Sequence, residues 1–170
     1  MARRSQVPSR NLEWPSRFST RASISTTGSA QAIAKPSPQF GVGLAFNLLI
    51  TNVDDHLQNH GFLHVERGLW RLAPAFDLNP FPDKHRESKT WLSEQDGPIT
   101  DLQMLLARSA YFALDTDGAL AVLAEVHAAI SKWRSIALCP TVGLRPEELD
   151  DFAPAFEHEQ MEAALALLRR

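Results

Sequence analysis

Residues 40–52 are almost wholly apolar, and this stretch limits the folds that the chain can adopt. Its apolar side chains have helical spacing and would cover nearly every side of a helix: Val42, Leu44, Ala45, Phe46, Leu48, Leu49 and Ile50. A helix that is apolar on all sides must lie inside a core, with other elements packed around it. A chain of 170 residues, 44% of them hydrophobic, can bury one such core, so we expect one domain.

A polar cluster with no helical or strand period follows the apolar run, at residues 53–60. It contains two acids, two histidines and an asparagine: Asp54, Asp55, His56, Asn59 and His60. In one interpretation it is a solvated loop in which Asp54 and Asp55 cap the next turn. In another, these acids and histidines join His64 in a metal site of the kind that hydrolases use.

A third interpretation takes in Asp77, which follows a predicted β-hairpin. The hairpin strands are residues 62–65 and 69–73, joined by a turn that ends in glycine. Phosphoryl transfer needs a carboxylate that accepts a hydroxyl proton, and an amide oxygen and a second carboxylate that hold magnesium. Asp54, Asn59 and Asp77 supply these groups, and the five-residue interval from Asp54 to Asn59 is that of kinase catalytic loops.

These residues also carry a resemblance to a known family, the HipA-like serine/threonine kinases, which are toxins of bacterial toxin–antitoxin pairs. The chain has F-N-x-L-I, then N-x-D-D-H-x-x-N-H-G-F, then W-x-L-A-P-A-F-D-L-N-P, and later Trp133-Arg134, all within about residues 40–140. The resemblance implies a protein kinase-like C-terminal lobe that uses Mg²⁺ and ATP. In that lobe Asp54 is the catalytic base, and Asn59 and Asp77 bind the metal.

The resemblance has further implications. It implies a protein substrate among translation components and a DNA-binding antitoxin partner. Thr51 stands where the family usually has glycine. His56 lies in D-x-H-x-x-N, which also resembles the catalytic loop of phosphoinositide kinases. It either donates a hydrogen bond to the transferred phosphoryl group or orders the loop by bonding a backbone carbonyl or Asp77. The N-terminal, ATP-binding lobe of such a kinase is not recognisable, so we expect weak or no activity from this chain alone.

Residues 1–39 differ in composition from the remainder. They carry six Lys or Arg and one Glu, whereas the remainder carries 11 basic and 19 acidic residues. This Ser- and Arg-rich segment has no apolar period, so we predict that it is disordered and lies outside the family-like part, residues 40–170. It could be a transit peptide, a basic arm that binds nucleic acid, or a misread gene start. We favour the last and expect no direct contact with nucleic acid.

The remainder of the chain predicts helices and a surface loop. Residues 81–98 are polar. Lys84, Arg86 and Lys89 in them could touch phosphate or an acidic substrate, or simply form a solvated charged face, which is the usual role of such a run. Helices are expected from Thr100 or Asp101 to Phe112, from about residue 115 to 137, and after Pro146. The fold class is therefore mainly α with a small β-hairpin (α+β).

Two function classes compete with a kinase, namely an inactive remnant that serves as an interaction module and a metal-dependent hydrolase that uses the His/Asp cluster. The single cysteine, Cys139, permits no internal disulfide, and no apolar run is long enough to cross a membrane. We therefore expect a soluble, cytoplasmic protein with no membrane partner.

Overall fold

The computed structural model describes residues 38–66, 69–82 and 88–169; for Phe40, residues 65–66 and residues 69–71 it describes the backbone alone. The α-helices of this part are α1 (Pro38–Leu49), α2 (Leu102–Ala107), α3 (Thr116–Ile130), α4 (Trp133–Ala137), α5 (Leu149–Phe156) and α6 (Glu159–Leu168). The strands are β1 (Phe62–Glu66), β2 (Leu69–Leu72), β3 (Trp91–Ser93) and β4 (Gly97–Pro98). The predicted disordered segment and the residues Lys84 and Arg86 lie outside the described residues.

Helix α1 lies at the centre of the core, as its apolar sequence predicts. One side of it packs against α3 and α6 through Val42, Leu49 and Ile50, and Leu49 is fully buried. Another side, with Leu44 and Ala45, packs against α2 and the 3-10 helix Ser109–Phe112. Burial on both sides fixes α1, and the loop that follows α1 therefore leaves from a rigid support.

The first hairpin confirms the prediction from the sequence. Strands β1 and β2 are antiparallel, with Phe62 opposite Leu72 and His64 opposite Trp70. The turn residues 67–68 lie outside the described part of the chain. Ala73 N donates to Gly61 O at 2.7 Å, so the pairing continues one step beyond the strands.

A second hairpin forms where a surface loop was expected. Strands β3 and β4 pair antiparallel across a tight turn. Ser93 Oγ donates to Asp96 Oδ2 at 2.6 Å and accepts from Asp96 N at 3.1 Å. Gly97 has φ +77°, a conformation that favours glycine. The turn chemistry of Ser93, Asp96 and Gly97 outweighs the polar composition, and this is why the loop prediction was wrong here.

The later helices begin where predicted, but two are interrupted. The helix expected to reach Phe112 ends at Ala107 and is followed by the 3-10 helix Ser109–Phe112. Asp101 caps α2 by accepting from Met104 N at 2.8 Å, and Asp115 caps α3 by accepting from Gly118 N at 2.8 Å. The single helix expected from about 115 to 137 is broken after Ile130 into α3 and α4. Ser131 Oγ donates to His127 O at 2.8 Å and shares this acceptor with Ser131 N, which lies 2.9 Å from it, a pattern that bends helices. Lys132 N then donates to Ala129 O, three residues back, at 3.3 Å.

Helix α4 is tied to the end of α5 by a mixed cluster. Trp133 stacks on Phe156 with ring centroids 4.6 Å apart, and its Nε1 donates to Glu157 Oε1 at 3.1 Å. Arg134 donates to the same carboxylate through Nε at 2.6 Å and through Nη2 at 2.9 Å. Trp133 and Arg134 thus connect the elements at the C-terminal side of the domain.

The described part of the chain is mainly helical with two small antiparallel hairpins, which confirms the α+β class. None of its helices combines the length and the apolar character that crossing a bilayer requires.

Candidate functional site

The polar loop begins at a Schellman motif that ends α1. Thr51 N donates to Leu48 O at 3.3 Å and Asn52 N donates to Asn47 O at 2.8 Å. This pattern requires a left-handed residue, and Thr51 has φ +55°. The family resemblance predicts glycine at this position, and the left-handed backbone explains why glycine would suit it. The predicted helix end at residue 52 is three residues too late because this motif turns the chain after Leu49.

Thr51 is held in this conformation by its hydroxyl group. Its Oγ1 donates to Ala155 O at 3.0 Å and lies 3.2 Å from His158 Nε2. His158 Nδ1 accepts from Gln160 N at 3.3 Å, so Nε2 carries the ring proton and donates to Leu49 O at 3.1 Å. The side chains of Thr51 and His158 are both buried. They join the end of α1 to the start of α6.

Asp54 and Asn59 are brought together by the loop. Asn59 ends the 3-10 helix Leu57–Asn59, and its Nδ2 donates to Asp54 O at 3.2 Å. This bond closes the loop across the five-residue interval noted in the sequence. Because the amide nitrogen faces Asp54 O, Oδ1 is the atom of Asn59 that remains to accept a ligand. The Asp54 carboxylate itself is exposed.

A lysine contacts the Asp54 carboxylate. Lys89 Nζ donates a hydrogen bond to Asp54 Oδ1. Chiefly through this bond, Lys89 holds the pKa of the Asp54 carboxyl below its usual value, and the charge of His56 acts in the same direction. Asp54 is therefore ionised at neutral pH and can accept a hydrogen bond from a hydroxyl.

Asp55 points the other way and anchors the loop. It is 2% exposed, and its Oδ1 lies 2.9 Å from His60 Nε2. Its backbone carbonyl accepts from Thr90 Oγ1 at 2.6 Å. Asp55 and Asn52 also line a small pocket of about 20 Å³ beneath the loop. That volume holds about one water molecule.

Asp77 lies beyond the first hairpin in a left-handed conformation, with φ +56°. Its carboxylate is exposed and accepts from Asn79 Nδ2 at 2.8 Å. A Cβ atom added to Gly61 would lie 3.4 Å from Phe76 Cε1, so the residue before Asp77 packs against the chain two residues after Asn59. Among the described residues, no hydrogen bond or ion pair joins Asp77 directly to Asp54 or Asn59.

The available oxygen atoms suit magnesium better than a transition metal. The Asn59 amide oxygen and the Asp77 carboxylate are hard ligands, and Mg²⁺ keeps several waters, so two protein ligands are sufficient. In the described part of the chain, no group of three or more His, Cys, Asp or Glu side chains could hold a metal ion. This finding gives no support to the hydrolase alternative, since His60 pairs with Asp55 and His64 is exposed on β1.

Two features of the site escaped sequence reasoning. Lys89 was considered only as one of three basic residues in a polar loop, and its contact with Asp54 spans 35 positions. The pairing of Asp55 with His60 was also missed, although both were named as candidates. His56 precedes the 3-10 helix, and its Nδ1 is buried without a hydrogen-bond partner in the described structure.

Comparisons with known proteins identify the family. The sequence model of the family described as HipA-like C-terminal domain matches residues 17–133. The match begins upstream of residue 40, and the predicted boundary there stays a prediction because residues 1–37 are outside the described structure. Searches of curated proteins and of solved structures returned no significant match. Since the family model covers more than half of the 170 residues, the chain belongs to the HipA-like C-terminal domain family.

Proposed function

We propose that this chain is the catalytic part of a HipA-like serine/threonine kinase, which transfers the γ-phosphate of ATP to a protein hydroxyl with Mg²⁺. Family membership supports this proposal. The observation that carries it is the hydrogen bond from Asn59 Nδ2 to Asp54 O, at 3.2 Å. It holds a proton acceptor and a metal-binding amide at fixed separation on one loop, as phosphoryl transfer requires.

Asp54 acts as the base in this proposal. Its exposed, ionised carboxylate accepts a hydrogen bond from the substrate hydroxyl and orients it. The hydroxyl oxygen then forms a bond to the γ-phosphorus, the bond to the bridging oxygen breaks, and ADP leaves. The hydroxyl proton passes to Asp54. Little covalent work falls to the protein, and positioning accounts for most of the rate.

Asn59 and Asp77 are the residues that would hold magnesium. When bound, Mg²⁺ neutralises charge on the phosphates of ATP. Asn59 contributes Oδ1, because its Nδ2 donates to Asp54 O. Asp77 contributes the carboxylate oxygen that Asn79 leaves unused, since Asn79 Nδ2 donates to Oδ1 alone.

His56 is assigned to the phosphoryl group. His56 immediately precedes the 3-10 helix Leu57–Asn59 and stands two positions after the proposed base in the same loop. A histidine there can donate a hydrogen bond to oxygens on which negative charge is spread in the transition state.

The substrate and the partner are proposed from the family resemblance. A toxin–antitoxin context fits membership of the HipA-like group. We therefore assign a translation component as the phosphorylated protein, a DNA-binding antitoxin as the controlling partner, and the cytoplasm as the compartment.

Activity of this chain alone is expected to be weak. Kinases place the nucleotide with a glycine-rich loop and a lysine on a strand. In the described part of the chain, the strands β1 to β4 carry no lysine. Asp54, Asn59 and Asp77 would then act on a poorly positioned nucleotide. We expect this to lower the rate of phosphate transfer more than the affinity for the nucleotide.

The test combines binding with phosphate transfer. Mg-ATP should raise the melting temperature of the purified chain, and Asp77→Asn should abolish the rise. Any transfer of labelled γ-phosphate should disappear in Asp54→Asn. Asp117→Asn is the control, because Asp117 is an exposed carboxylate at the start of α3. If Mg-ATP leaves the melting temperature unchanged, the chain is an interaction module. Stabilisation by zinc that fails in His56→Ala would indicate a hydrolase.

A further inference from the structure

The segment that carries Lys89 is fastened along the candidate catalytic loop. Lys89 N donates to Val53 O at 3.3 Å, and Thr90 Oγ1 donates to Asp55 O at 2.6 Å. These bonds attach the segment on both sides of Asp54. Thr90 is 5% exposed, so the second attachment is buried and resistant to exchange with water. The backbone of Lys89 is therefore placed beside Asp54 by the fold.

The side chains of Lys89 and Asp54 meet at the protein surface. Nζ donates to Oδ1, and the two side chains are 60% and 59% exposed. An ion pair this exposed contributes little to folding stability. Exposure also leaves both groups open to a ligand, and the ammonium has two further N–H donors besides the one that Asp54 accepts.

A lysine in contact with the base has two consequences for phosphoryl transfer. It restricts the carboxylate to one orientation, and misplacement of a base is costly to the rate. It also offsets the negative charge of Asp54, which would otherwise repel the negatively charged phosphate that has to approach it.

We propose that Lys89 is a positioning residue of the phosphotransfer site, which holds the Asp54 carboxylate toward the substrate hydroxyl and offsets its charge against the incoming phosphate. This inference rests on the proposed function of Asp54. Lys89, from the segment that follows Asp77, thereby becomes a fourth residue of the proposed site beside Asp54, Asn59 and Asp77. An inhibitory contact, in which Lys89 blocks the base, would give the opposite result, because removal of the lysine would then raise kcat.

The contact itself can be tested without any activity. A zero-length carbodiimide cross-linker should join Asp54 to Lys89 in the full chain, as detected by peptide mass spectrometry. Mg-ATP should lower the yield of this product at least twofold, because the nucleotide covers the carboxylate. Lys132, an exposed lysine before α4, should give no product with Asp54. Absence of the product overturns the proposal, and so does a yield that bound Mg-ATP does not change.

The role is tested by kinetics of phosphate transfer. Lys89→Met should lower kcat about tenfold or more with little change in the KM for ATP, because Asp54 acts in the chemical step. Lys89→Arg should restore most of the rate, and Lys132→Met should behave like the parent chain. An unchanged or raised kcat in Lys89→Met overturns the proposal.

Failure of the proposed function gives a different result. If Asp54→Asn transfers phosphate at the parent rate, the proposed function fails, and the cross-link still reports whether the contact between Asp54 and Lys89 exists. If the parent chain transfers no measurable phosphate, the effect of Mg-ATP on the cross-link decides.

Discussion

Replacing Thr51 with valine removes the hydroxyl that secures the entrance to the polar loop of residues 53–60. Valine has the same branched shape, so the left-handed backbone at this position, φ +55°, is strained at least as much as before. What disappears is the hydrogen bond from Oγ1 to Ala155 O and the contact with His158 Nε2. The change therefore isolates the contribution of one buried hydroxyl.

The size of the effect follows from burial. Thr51 is 3% exposed, so water cannot replace the lost partner. Removing one partner of a buried hydrogen bond costs about 1–3 kcal/mol. For a chain of this size each kcal/mol lowers the Tm by about 2–4 °C, which gives a decrease of roughly 2–12 °C for Thr51→Val.

Two further variants separate strain from hydrogen bonding. Thr51→Ser keeps the hydroxyl and loses one methyl group, worth about 0.8 kcal/mol. Thr51→Gly loses the hydroxyl but is relieved of a left-handed penalty of about 1–2 kcal/mol. The order of stability should be threonine, serine, glycine, valine, as measured by thermal and urea unfolding. A valine variant as stable as the parent, or a glycine variant less stable than valine, would refute this reasoning.

Three other substitutions test the core, the C-terminal cluster and the hairpin. Leu49→Ala should lower the free energy of unfolding by about 3–5 kcal/mol, because the side chain is fully buried in the main core; a loss below about 1 kcal/mol in urea unfolding would contradict a central α1. Hydrogen bonds from Arg134 lower the pKa of Glu157, so this pair stabilises the fold above the ordinary glutamate pKa and loses that effect as the pH falls. Glu157→Gln should therefore be less stable than the parent by at most about 1 kcal/mol at pH 7, and this difference should shrink as the pH falls below 4.5, the ordinary glutamate pKa value; a difference that grows with acid would contradict the ion pair. Gly61→Val should displace the segment before Asp77 and abolish stabilisation by Mg-ATP, because even its Cβ would lie 3.2 Å from Ala73 Cβ. Gly43→Ala is the matched control, since its added Cβ meets nothing within 4 Å, and an equal loss in both variants would count against the role of the hairpin.

The parts of the fold that the sequence predicts are those set by local patterns. Three such features are each encoded within a few residues: the apolar period of α1, the helix caps Asp101 and Asp115, and the first hairpin. The break after Ile130 was missed because helical period continues through Ser131, whose side chain bonds back to His127 O. The second hairpin was missed because two or three residues per strand are too few to show a period.

The candidate site likewise combines local contacts, which the sequence can indicate, with contacts between distant positions, which it cannot. The Asp54–Asn59 bond is local, because it joins two residues five positions apart that the sequence had already marked as candidates. Lys89 and Thr90 reach the loop from 35 residues away, and composition alone gives no means to choose Lys89 from neighbouring basic residues. Family resemblance pointed to glycine at Thr51, but only the backbone shows that the position is left-handed.

The central claim is that Asn59 and Asp77 hold one magnesium ion beside Asp54. Paramagnetic Mn²⁺ in place of Mg²⁺ tests it directly, by nuclear magnetic resonance of the labelled chain with ATP. We predict that a small amount of Mn²⁺ broadens both the Asn59 side-chain amide signal and the Asp77 backbone amide signal. Excess Mg²⁺ should reverse the broadening and Asp77→Asn should prevent it. If the Asp77 signal stays sharp while another part of the chain broadens, the two residues do not share a metal and the account is wrong.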